Sequence, residues 1–172
     1  MDVRDGRADV RHEAARMEEE IMNDIMTVDR ILDFAIEREQ EAVDFYTDIA
    51  AKASSPEMRK VFEQFAGEER GHKAKLQGVK AGKTLPVGGQ PVMDLRISDY
   101  VVASAPGPDL SYQDALILAM KKEKAAFRLY NDLAGLADDE GLRDLFLALA
   151  QEEAKHKLRF EVEYDERFLK DW

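Results

Sequence analysis

Residues 62–73 read FEQFAGEERGHK, and residues 146–157 read FLALAQEEAKHK. In each stretch a glutamate stands three positions before a histidine: Glu69 with His72, and Glu153 with His156. Three residues is close to one helical turn, so on a helix each pair shares a face and can hold one ion. Thirty residues upstream of each pair stands another glutamate, Glu39 and Glu123, followed seven residues later by Tyr46 and Tyr130. The two sets are separated by a constant 84 residues. Four carboxylates and two imidazoles repeated at helical spacing are a ligand set for two metal ions.

The repeat is wider than its polar residues. Between positions 35 and 76, fourteen of 42 residues recur 84 positions later without a gap, which implies two equivalent helical hairpins about a pseudo-twofold axis. Start and stop signals agree. Thr27 can cap a helix reaching about Ala53, and Ser55 followed by Pro56 opens a second that ends near Gly82. Ser111 with Asp114 resembles a capping box for a third helix ending near Ala137, and Asp138 or Asp139 caps a fourth reaching about Arg167. The short links within each pair make antiparallel hairpins. Between the pairs, a crossover over about 83–110 holds four of the five prolines, with a short extended piece expected at Tyr100–Ala103. The expected fold is all-α, an antiparallel four-helix bundle of two hairpins joined by one long crossover, over residues 27–172. Residues 1–26 form a charged extension in which Val10, Ala14, Met17 and Ile21 follow the spacing of a short amphipathic helix.

The apolar stripes explain why the glutamates matter. Helix by helix they read Leu32, Ala35, Glu39, Ala42, Tyr46, then Phe62, Phe65, Glu69, His72, Leu76, then Leu116, Ala119, Glu123, Ala126, Tyr130, and Phe146, Leu149, Glu153, His156, Phe160. A glutamate interrupts every stripe near mid-length. Helices of about 25 residues are roughly 37 Å long, so mid-helix positions meet at one level. Four unpaired buried carboxylates there would each cost several kcal/mol and repel one another. Two divalent cations would neutralise all four. A single buried glutamate could instead be protonated or paired with lysine, and a lone core histidine is usually just hydrogen-bonded. Two matched sets on core stripes favour a dimetal site over a bundle that has lost its metal. Tyr46 and Tyr130 either hydrogen-bond to ligand carboxylates or serve as large core residues with a polar tip. Glu68 and Glu152 sit beside the stripes, which reads as a solvated or salt-bridged position. His12, the third histidine, receives no role.

Composition narrows the function classes. A net charge of −11 argues against nucleic acid and anionic membrane surfaces. The absence of cysteine excludes disulfides, thiolate zinc and iron–sulfur sites within these residues. No apolar run is long enough to span a bilayer and no secretory signal is visible, so a cytoplasmic location is the expectation. Carboxylate-rich sites with one imidazole per metal favour iron or manganese, with zinc a possible substitute.

The paired pattern of Glu-x-x-Ala-x-x-x-Tyr followed by Glu-x-x-His resembles the ferritin-like di-iron carboxylate superfamily, and within it the diiron domain of rubrerythrins, over about residues 28–167. The resemblance implies two iron ions, bridged by Glu69 and Glu153, with Glu39 and Glu123 as terminal ligands and His72 and His156 each on one ion. It implies oxidation of a diferrous centre by hydrogen peroxide or dioxygen, in oxidative-stress defence. Two departures stand out. Typical rubrerythrins carry a four-cysteine rubredoxin-like domain that is missing here, so the electron donor, a reductase or a rubredoxin-like protein, would be external. They also carry an extra glutamate one turn after the third-helix ligand, where this chain has Ala126. Two other readings are a ferroxidase or iron-storage protein of the ferritin type, and a metal-stabilised helical scaffold without turnover. A homodimer or higher homo-oligomer is expected, to cover the apolar parts of the extension and crossover.

Overall fold

The caps read from the sequence start helices in the computed structural model of the chain, which describes residues 28–53, 55–82, 100–102, 110–137 and 139–170. The helices are α1 (Val28–Lys52), α2 (Pro56–Gly82), α3 (Tyr112–Leu136) and α4 (Glu140–Tyr164), and α4 runs on into a π-helical turn over Asp165–Leu169. Ser55 Oγ accepts from the Met58 amide at 3.1 Å, and Pro56 takes the first helical position. Ser111 Oγ accepts from the Asp114 amide at 3.1 Å while donating to the Asp114 carboxylate at 2.7 Å. Asp139, rather than Asp138, caps α4 by accepting from the Leu142 amide at 2.9 Å. Each cap satisfies an amide that the first helical turn would otherwise leave unpaired.

Thr27, the extension over 1–26 and most of the crossover lie outside the described residues. Tyr100 sits in a turn and Val101 and Val102 are irregular, so no strand forms among the described part of Tyr100–Ala103. The Tyr100 phenol donates to Asp132 at 2.7 Å and its ring is buried, which pins the end of the crossover to α3.

Contacts along each pair run in opposite directions. Lys80 meets Asp33 and Lys73 meets Gln40 between α2 and α1, whereas Tyr112 and Gln113 of α3 meet Glu163 and Tyr164 of α4. Across the hairpins, Tyr130 reaches Glu39 while Lys122 lies over Phe45, so α1 and α3 are antiparallel too. The core divides into two buried clusters. One holds Leu32, Ala35, Leu76, Tyr130, Leu133 and Phe146, among others. The other holds their partners in the 84-residue repeat, which are Leu116, Ala119, Phe160, Tyr46, Ile49 and Phe62. The pseudo-twofold axis therefore exchanges the two clusters and passes through the polar layer between them. No helix among the described residues is long and apolar enough to cross a membrane.

Candidate metal centre

The six residues predicted as ligands occupy that layer, and none is more than 3% exposed. They form two overlapping groups, Glu39, Glu69, His72 and Glu153, and Glu69, Glu123, Glu153 and His156; within each group the candidate ligand atoms lie within 4.8 Å of one another. Glu69 and Glu153 belong to both groups. His72 Nδ1 lies 2.9 Å from an oxygen of each, and 3.8 Å from Glu39. His156 Nδ1 lies 2.8 Å from the other oxygen of Glu69, and 3.9 Å from both Glu123 and Glu153. Helical spacing produces this arrangement: i, i+3 pairing carries each Glu–His pair to the axis of the bundle, and the mid-helix positions of α1 and α3 bring Glu39 and Glu123 to the same level.

Close approach is not hydrogen bonding here. Nδ1 of both histidines, both oxygens of Glu69, Glu123 Oε2 and Glu153 Oε1 are buried without an aligned hydrogen-bond partner. Buried polar atoms are nearly always paired, and those left over need a further partner. These are lone-pair donors gathered around two shared points, so the residues fit two cations. The acid–base balance shows the same strain. Burial raises Glu39 well above the usual carboxylate range, helped by Glu153, Glu69 and Glu123, and burial with Glu153 raises Glu123 likewise. Burial also opposes charge on Glu69, but the two imidazoles outweigh it and hold that carboxyl down to about 2. Burial disfavours the His72 imidazolium, yet Glu153 and Glu69 raise it to about 10. His156 is raised against burial by Glu69, Glu153 and Glu68. Crowding the carboxylates and imidazoles in one buried layer thus favours the protonated forms of Glu39, Glu123 and both histidines.

Supporting contacts are asymmetric. The Tyr130 phenol donates to Glu39. Tyr46 contributes its ring, edge-on to His156 with centroids 6.3 Å apart. Phe65 stacks on that imidazole with centroids 4.0 Å apart. Glu68, read from the sequence as solvated or salt-bridged, lies 2.6 Å from His156 Nε2. A carboxylate accepts, so Nε2 carries the proton and Nδ1 is free to ligate. Its repeat partner Glu152 pairs with Lys155 at 2.9 Å instead. The doublets Glu68–Glu69 and Glu152–Glu153 carried the signal. The helical stripe could not resolve it, because the bond crosses from α2 to α4.

A pocket between α1 and α3 leads inward to Glu39, Glu123 and Glu153, with Ala42 and Ala126 on its walls and Arg38 and Lys122 also lining it. It offers about 50 Å³ to water-sized molecules.

Comparisons place this geometry in a family. A hypothetical protein of Pyrococcus furiosus is 23% identical, with a TM-score of 0.63 over 81% of this chain and 89% of its own. A candidate ferritin-like diiron-carboxylate protein of Thermotoga maritima is 21% identical, with a TM-score of 0.73 over 83% of this chain and 97% of its own. At such identities the likeness establishes the fold. No curated protein matches the sequence. The ferritin-like domain family matches residues 27–160, most of the chain. A bundle of two repeated hairpins around a buried glutamate–histidine layer is thus accounted for by descent as well as by physics, and the chain belongs to the ferritin-like domain family.

Proposed function

We propose that this chain is a non-haem diiron oxidoreductase of the rubrerythrin type, in which a diferrous centre is oxidised by hydrogen peroxide or dioxygen. One observation carries the reading: two four-residue groups that share Glu69 and Glu153, each with its own histidine and its own terminal glutamate. A ferrous pair supplies two electrons together, enough with two protons to take hydrogen peroxide to water. The protein's part is to hold and tune that pair. Glu69 and Glu153 would be shared by the two ions, while Glu39 with His72 and Glu123 with His156 would complete the two ligand sets. The Tyr130 phenol fixes the Glu39 carboxylate, and Glu68 fixes the tautomer of His156. The apolar clusters on either side keep bulk water from the layer. With Ala126 where rubrerythrins have a further glutamate, each position has one terminal carboxylate, and the centre is more symmetric. No cysteine occurs in these 172 residues, so the reading calls for an electron donor outside them.

The test is anaerobic loading with Fe(II), followed by optical recording after mixing with stoichiometric hydrogen peroxide or dioxygen in parallel. Faster oxidation by peroxide, ending after one turnover without donor, is the expected result. Faster oxidation by dioxygen with continued turnover of excess iron would replace this reading with a ferroxidase. If two ions bind and neither oxidant reacts, the chain is a metal-stabilised scaffold.

A further inference from the structure

The pocket between α1 and α3 lies close to the pseudo-twofold axis, because part of its lining comes in repeat-related pairs, with Tyr100 and Val102 of the crossover also on its wall. Arg38 corresponds to Lys122, Glu39 to Glu123, and Ala42 to Ala126, each at the offset of 84. Both copies of the repeat thus place a cation immediately before the terminal glutamate. The two cations share one counter-charge: Arg38 lies 2.6 Å from one oxygen of Glu41, and Lys122 lies 3.9 Å from the other. Each also lies over an aromatic ring, Arg38 on Phe34 at 4.8 Å and Lys122 on Phe45 at 5.7 Å, which fixes both at the pocket wall. Arg38 Nε is buried without a hydrogen-bond partner and so keeps a donor unused.

Charge bookkeeping decides what such a collar does. Once two divalent ions neutralise the four inner glutamates, the charge left along the pocket is two cations against Glu41, a net positive entrance. An interior of about 50 Å³ takes a small molecule of a few heavy atoms. We propose that this pocket is the entrance to the centre and that Arg38 and Lys122 select small anions over metal cations there. The inference rests on the diiron reading above and adds to it: an exchangeable ligand of the loaded centre is a small anion, and the metal pair is resident rather than passing cargo. The small side chain of Ala126 is part of the device, because a larger one would fill the chamber beside Glu123.

Azide serves as the probe, titrated optically into ferric-loaded protein, with Mn(II) uptake followed separately by the loss of the free-ion spin-resonance signal. In R38Q/K122Q, azide affinity is expected to fall on the order of ten-fold and Mn(II) uptake to quicken, with two ions still bound. Added salt should weaken azide binding in the wild type and leave the double variant almost unchanged. In A126L, azide binding should be lost at unchanged metal stoichiometry, which also reports that the bundle is intact. Azide affinity and uptake rate unaltered in all variants would overturn the inference while leaving the diiron centre standing. A wild-type protein that binds no metal pair would remove the diiron reading and this inference with it.

Discussion

Glu69 and Glu153 belong to both ligand groups, and Glu69 makes the closer approach to both imidazoles, one through each carboxylate oxygen. Glu69→Ala is expected to abolish binding of the pair, read as metal per chain by elemental analysis; two tightly held ions in that variant would remove its role as a bridge. Glu68 acts through His156 only. Glu68→Ala should weaken one ion by about 10–100-fold while leaving the other nearly unchanged, seen in a Mn(II) titration as two phases further apart than in the wild type. The buried acids and bases also give a pH signature. His72, raised from 6.5 to about 10, contributes stability to the metal-free protein that is fully present below 6.5 and lost as pH rises through 10. Glu39 and Glu123, raised well above 4.5, act in the same direction. Glu69, lowered to about 2, contributes stability above 4.5 that is lost as pH falls toward 2. The metal-free protein should therefore lose stability between about pH 7 and 10, in denaturation series after chelation. Metal binding should release protons, detectable as a buffer-dependent heat.

At the scale of elements, the caps were legible because their chemistry is local. Ser111 with Asp114 and Ser55 with Pro56 lie within four residues of the amides they serve. Asp139→Ala should cost about 1 kcal/mol in urea denaturation, equally with and without metal, since the cap is remote from the ligands. The stripes were legible for a similar reason, period alone being enough to place Glu39 and Glu123 inward. What period cannot show is contact between helices. Glu68 appeared peripheral along α2, yet it meets α4. Glu163 lies one turn beyond the last stripe residue read in α4, and it is buried because Tyr112 and Arg167 hydrogen-bond to it. Arg38 and Lys122 lie off the apolar stripes, and only the antiparallel approach of α1 and α3 brings both to one pocket wall. No strand forms over the described part of Tyr100–Ala103, where the Tyr100 side chain instead ties the crossover to Asp132 of α3.

For the whole molecule, the axis that exchanges the two core clusters has a mechanical meaning. Neither hairpin owns a metal position. One group takes Glu39, Glu69 and His72 from the first hairpin and Glu153 from the second, whereas the other takes Glu123, Glu153 and His156 from the second and Glu69 from the first. Each ion, once bound, would thus be a staple across the halves, independent of the peptide that joins them. Metal at about a hundred times its dissociation constant adds roughly 2.7 kcal/mol to the folded state, so chelation should lower the melting temperature clearly. A protease cut anywhere between Gly82 and Tyr100 would make two fragments whose association is chelator-sensitive: co-eluting when loaded, and separating or weakening once the ions are stripped. Severed in this way, the chain would behave as a two-component complex whose glue is inorganic.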